Sequence, residues 1–187
     1  EGVSDDVNKI VWSSLDFDFE ASLYEILCDY ARFYMPEVPC EKCAELIFGL
    51  EQNWEAAPEE SFSVEAVFDG FDSILKNTPS LYENWRFLLL YFRALCDKVV
   101  RDRRIFELGL IDEAAFEIRN GSLSKAEEIL ASEFSTEYKN YRETLFVLGQ
   151  KLYELIGIQL DVEHFGGMAW ERGCTLDTID NPVTDRQ

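Results

Sequence analysis

Cys40 and Cys43 form the run "PCEKC", two thiols three places apart where a helix is predicted to begin. The positive end of a helix favours a thiolate, so such a pair can carry dithiol redox chemistry. Thioredoxin-like sites set that pair after a strand, and no strand is readable upstream of Pro39. Two helical cysteines packed side by side in a core meet the same spacing. A zinc site would have to recruit His164, the only histidine, and Cys174, but their spacing matches no finger or knuckle. One histidine also leaves a single base for any Ser-His or Cys-His site, and no nucleophile elbow accompanies it. There is no glycine-rich phosphate loop. The sequence therefore predicts neither a metal nor a cofactor.

Other residues bear on binding. Arg86, Arg93, Arg101, Arg103 and Arg104 gather positive charge on one segment. Their default fate in so acidic a chain is pairing with carboxylates of neighbouring helices; an anionic ligand is the alternative. Trp12, Trp54, Trp85 and Trp170 are able to stack on sugar rings, but Trp54, Trp85 and Trp170 fall where core is predicted. Asp177 and Asp180 in "TLDTIDNP" lack the ligand set of a calcium loop, and turn or cap hydrogen bonding accounts for them.

The chain has 187 residues, enough for one domain with an ordinary core. Its 37 acidic and 17 basic residues give a formal net charge of -20, which argues against nucleic acid or an anionic membrane as partner. The longest apolar run, "FLLLYF" at 87–92, is far too short to span a bilayer. Five cysteines without an even framework do not describe a stapled secreted scaffold, and Cys28 and Cys96 fall within apolar stripes as reduced core residues.

Helix is the only sustained period. Ser4 can cap a first helix with Val7, Ile10, Val11 and Leu15 inward. A second runs from about Glu20 to Tyr34 and stops at Pro36. Pro39 starts a third with Cys43, Leu46, Ile47, Leu50 and Trp54 inward, and Ser63 heads a fourth. Ser80 opens a long fifth whose seam (Leu81, Trp85, Leu88, Phe92, Leu95, Val99, then Phe106) reaches Arg119, with Asn120-Gly121 as its stop. The capping box Ser124–Glu127 opens a short sixth. The seventh has Tyr138, Tyr141, Leu145, Leu148, Leu152 and Leu155 in threes and fours and closes at Gly157. Residues 158–187 read as an irregular closing segment packed by Phe165, Trp170, Leu176 and Ile179. The expected fold is all-α: a single domain over residues 1–187, a bundle of about seven helices with one long central helix.

Three segments carry a resemblance: "EGVSDDVNKIVWSSLDFDFEASLYEILCDYARFYM", "NWRFLLLYFRALCDKVVRDRRIFE" and "WERGCTLDTIDNPVTDR". Together they resemble, over essentially the whole chain, the all-helical domain that follows the catalytic barrel in large bacterial glycoside hydrolases. The α-N-acetylglucosaminidase family is similar in its "EGI"-type turn before such a domain. The resemblance implies that residues 1–4 are the exit turn from a barrel elsewhere in the same polypeptide. It also implies that Glu1 matches the family's catalytic nucleophile. Val3 stands where the family has isoleucine, and "SDDVNK" differs from the residues that follow there. A retaining glycosidase needs a second carboxylic acid about 5 Å away, and no residue of this chain is assigned to it. The implied role is a non-catalytic accessory domain that braces the barrel and its cleft rim, with Arg86, Arg93 and Trp170 as candidate sugar contacts. An acidic helical module that recruits a basic protein is the alternative.

Overall fold

Caps and apolar spacing set the helices. In the computed structural model, which describes residues 6–168 and 175–181, they are α1 (Asp6–Phe17), α2 (Leu23–Tyr34), α3 (Cys40–Gln52), α4 (Ser63–Asn77), α5 (Trp85–Arg119), α6 (Leu123–Leu130), α7 (Thr136–Ile156) and α8 (Thr175–Thr178). Short 3-10 turns occupy Pro58–Glu60 and Pro79–Glu83, and no strand occurs among the described residues. The all-α bundle with one long helix is the architecture the sequence predicts. The closing segment contains one helical turn, α8, that the period did not reveal.

Several boundaries differ from expectation, each for a local reason. Helix α2 begins at Leu23 and not near Glu20, because the Ser22 hydroxyl accepts the Glu25 N–H and caps it there. The long helix begins at Trp85 and not at Ser80. Pro79 instead starts a 3-10 turn, and the Asn84 side chain accepts the N–H groups of Arg86 and Phe87. Leu81 is still buried, but from that turn. Helix α6 has already begun when the chain reaches Ser124, so the predicted capping box is not its start. At the ends predicted from glycine, Gly121 and Gly157 do take positive φ, +80° and +69°, which suits a residue without Cβ.

Helix α5 is the spine; α3, α4, α6 and α7 all pack against it. Phe71 of α4 meets Phe87 of α5 edge to face at 5.8 Å, with both side chains fully buried. Leu88, Leu95 and Val99 line up with Leu145, Leu148 and Leu152 of α7 in the same core. Helices α3 and α4 cross closely: a Cβ at Gly49 would overlap Val67, and one at Gly70 would overlap Leu46. The closing segment is held by its apolar residues Phe165, Leu176 and Ile179, all buried. Its backbone is tied by Leu176 N–H donating to Leu160 O at 3.1 Å. Asp177 accepts the N–H of Val162, fifteen residues earlier, so its bond ties two parts of the closing segment together and is not the local turn bond the sequence suggests. Asp180 does something else: it pairs with Arg142 and Arg103 and pins α8 to α7 and α5. No helix among the described residues is long and apolar enough to cross a membrane.

Candidate functional site

A single face of α5 carries Arg86, Arg93 and Asp97, seven and four residues apart and hence nearly in register on a 3.6-residue helix. That face forms one wall of a cleft of about 500 Å³. The first turn of α1, Tyr30 of α2, the end of α3 and the segment 158–160 complete it. Two predicted contact residues, Arg86 and Arg93, are thus brought together. The third, Trp170, lies outside the described residues, as do Glu1, the nucleophile the resemblance implies, and Cys174.

Each arginine is fixed before any ligand arrives. The Arg86 Nε donates to Asp6 at 2.6 Å, and its guanidinium lies between the rings of Tyr34 and Trp85, 4.0 and 4.1 Å from their centroids. Planar, delocalised and weakly hydrated, a guanidinium suits that sandwich better than an ammonium would. Arg93 pairs with Glu51 at 3.1 Å and reaches the Leu50 carbonyl at the end of α3. Arg101, Arg103 and Arg104 likewise pair with Glu65, Glu107 and Glu59. The expected default, ion pairs with carboxylates, holds for all five.

Asp97 forms the polar part of the cleft floor. Asn53 donates to it at 2.8 Å and in turn accepts the Ser63 hydroxyl at 2.6 Å, so a buried relay connects the floor to the start of α4. Burial pushes the Asp97 carboxyl above the usual range; the Asn53 hydrogen bond and Arg93 oppose this, while Glu51 adds to it. The folded state therefore holds this proton more tightly than the unfolded chain. Its stabilising share is complete below the ordinary carboxylate value and is lost as pH rises through the raised folded one. Asp97→Asn, which keeps an acceptor for Asn53, is expected to be neutral or stabilising near pH 7. Chemical denaturation of both proteins across the acid-to-neutral range should show their stability difference growing with pH. A variant that is instead less stable at neutral pH than the parent would sink this account.

Trp54, predicted to face the core, instead stands at the cleft's edge with 70% of its surface exposed. Helix α3 ends at Gln52, so the helical spacing that connected Leu50 to Trp54 no longer applies. Asp97 is not among the residues the sequence singles out, although the register of 86, 93 and 97 is a readable signal for it. Trp54 is among the candidate stacking residues, but its helical spacing assigns it to the core.

The cysteine pair resolves toward packing. Cys28, Cys40, Cys43 and Cys96 are buried and free. Burial pushes the Cys43 thiol up to about 12, with Cys28 and Cys40 adding to the shift, the opposite of an activated dithiol. Native protein should leave Cys43 and Cys96 unmodified by a thiol reagent at neutral pH and expose them only on unfolding; prompt native labelling would restore the redox reading. His164 pairs with Asp161, which also accepts the N–H groups of His164 and Phe165 and so folds its own loop. Among the described residues no cluster of three or more His, Cys, Asp or Glu side chains is arranged to hold a metal ion.

Comparison of the chain with known protein families, with curated proteins and with solved structures gives no match.

Proposed function

We propose that this chain is a non-catalytic helical accessory domain of a carbohydrate-active enzyme, seated against a catalytic barrel of the same polypeptide. The observation that carries the reading is the state of α1. It is amphipathic, yet not one of its residues is fully buried. Along it and the turn that follows, Trp12, Phe17 and Phe19 are 69%, 95% and 84% exposed. A run of large aromatic residues in water is the mark of a surface that another body covers. The first turn of α1 also borders the cleft. In this reading the barrel's rim faces that side of the bundle. In that arrangement Glu1 acts as nucleophile at the carboxyl end of a barrel strand, and the bundle braces the rim.

The full open reading frame, assayed against a panel of aryl glycosides, tests this. Hydrolysis should fall by several orders of magnitude in Glu1→Gln. Trp12→Asp should lower the melting temperature of the whole protein while shifting this chain alone little, because an exposed substitution away from special contacts moves stability by only about 0.5 kcal/mol. Absence of hydrolysis on every substrate defeats the reading; an unaffected Glu1→Gln protein removes the nucleophile role and leaves the bundle as a brace.

One observation favours the second reading, an acidic interaction module. The arginines of α5 are consumed in internal ion pairs, so the surface presented to a partner is more acidic than the arginine-rich sequence of α5 implies. Capture of a basic protein that weakens steeply with added salt would support it.

A further inference from the structure

The cleft on α5 differs from an anion site in one respect: its positive charges are already answered. Arg86 holds Asp6 and Arg93 holds Glu51, at 2.6 and 3.1 Å. An anionic ligand would have to displace one of these carboxylates, in a chain whose net charge is -20. A cation fares no better. It would meet two guanidinium groups that already lie over the cleft's aromatic faces, Arg86 over Tyr34 and Trp85 at 4.0 and 4.1 Å and Arg93 over Trp54 at 5.9 Å. What remains open is a set of planar donors and acceptors, the paired Arg93 and Glu51 among them, beside one largely exposed indole, that of Trp54. A volume of about 500 Å³ lies within the range of small-molecule sites, about 300–1,000 Å³.

A sugar fits this chemistry. One face of a pyranose ring presents C–H groups that pack on an indole, while its edge presents neighbouring hydroxyls that donate and accept together. An arginine–carboxylate pair offers a donor and an acceptor side by side and needs no net charge on the ligand. We infer that the α5 cleft is a binding site for a neutral saccharide, with a ring stacked on Trp54 and its hydroxyls shared between Arg93 and Glu51. The inference deepens the accessory-domain reading and rests on it for the choice of ligand class. It gives the bundle a role in holding part of a chain-like substrate.

The test needs no catalytic domain. Isotope-labelled 187-residue chain is titrated with neutral disaccharides (cellobiose, lactose and chitobiose) and, for comparison, with digalacturonate and with choline. At least one neutral disaccharide should move the indole N–H of Trp54 and the side-chain N–H of Arg93. Trp54→Ala should weaken that binding at least about tenfold, the equivalent of about 1.4 kcal/mol. Because Trp54 is mostly exposed, the same variant should melt with the parent. Phe62→Ser, at another exposed ring on a different loop, should bind as the parent does. Three results overturn the inference: no response to any neutral sugar, tighter binding of digalacturonate or choline, or unchanged affinity in Trp54→Ala. Any of them leaves the barrel reading to the hydrolysis assay, whose outcome does not depend on this cleft.

Discussion

Phe87→Ala is expected to remove about 3–5 kcal/mol of folding stability, the usual cost of truncating a fully buried phenylalanine. Phe87 has no exposed surface and sits edge to face on Phe71 at the junction of α4 and α5. The loss combines apolar transfer, the cavity left behind and the ring contact itself. Set against a total of about 5–15 kcal/mol for a typical domain, one such change removes from about a fifth of the margin to all of it. Phe87→Leu should cost about 1.5 kcal/mol or less if the neighbours repack. Urea unfolding reads both: the midpoint should fall while the slope is unchanged, since the denatured chain exposes nearly the same area. A loss under about 1 kcal/mol for the alanine variant would mean that α4 and α5 close over the gap, and that the junction is far more plastic than its packing implies.

Lys98→Ala is expected to have the next largest effect. The ammonium is 5% exposed, donates to both Glu65 oxygens at 3.0 and 2.9 Å, and meets Asp102 at 3.1 Å. The ammonium nitrogen itself lies over the rings of Phe68 and Tyr141, 5.6 and 5.1 Å from their centroids. Burial works against the charge, but the hydrogen bonds Lys98 donates to Glu65 and Asp102 more than offset it and raise the pKa. Breaking a buried pair by removing one partner costs about 3–5 kcal/mol when the remaining charge is trapped. Here Glu65 is half exposed and can rehydrate, so the expected loss is about 2 kcal/mol. Lys98→Met separates the two contributions. It keeps the packing on Phe68 and Tyr141 and deletes the charge, so it should lie between the parent and Lys98→Ala. If methionine proves as costly as alanine, the ion pairs dominate; if it matches the parent, packing does.

The fold was legible where one helix obeys one period. Tyr138, Tyr141, Leu145, Leu148, Leu152 and Leu155 repeat in threes and fours along α7; four of them are buried, and Tyr141 and Leu155 pack half-buried against the same core. Legibility ended where a helix did. Trp54 continues the spacing of α3 but stands beyond its last turn, and Leu81 joins the seam of α5 from a separate 3-10 turn. The candidate site divides in the same way. Arg86, Arg93 and Asp97 share a face that spacing alone places. Their partners, Asp6, Glu51 and Asn53, come from α1, α3 and the residue that ends α3, and no local pattern says which of the chain's many acids will be the neighbour. Long-range pairing is fixed by how helices cross, and a single sequence does not state that.

Helix α5 is 35 residues long, about 52 Å at about 1.5 Å per residue, but its two halves are not alike. From Phe87 to Val99 it is deeply packed, whereas beyond that only Ala114 is fully buried, and Phe116 and Ile118 remain exposed. Amide protons of the first half should exchange with solvent only when the whole molecule opens. Those of the last turns, and of α6 beside them, should exchange through local fraying at much smaller free-energy cost. The continuous rod thus has an anchored end and a yielding end, and the cleft is built on the anchored one.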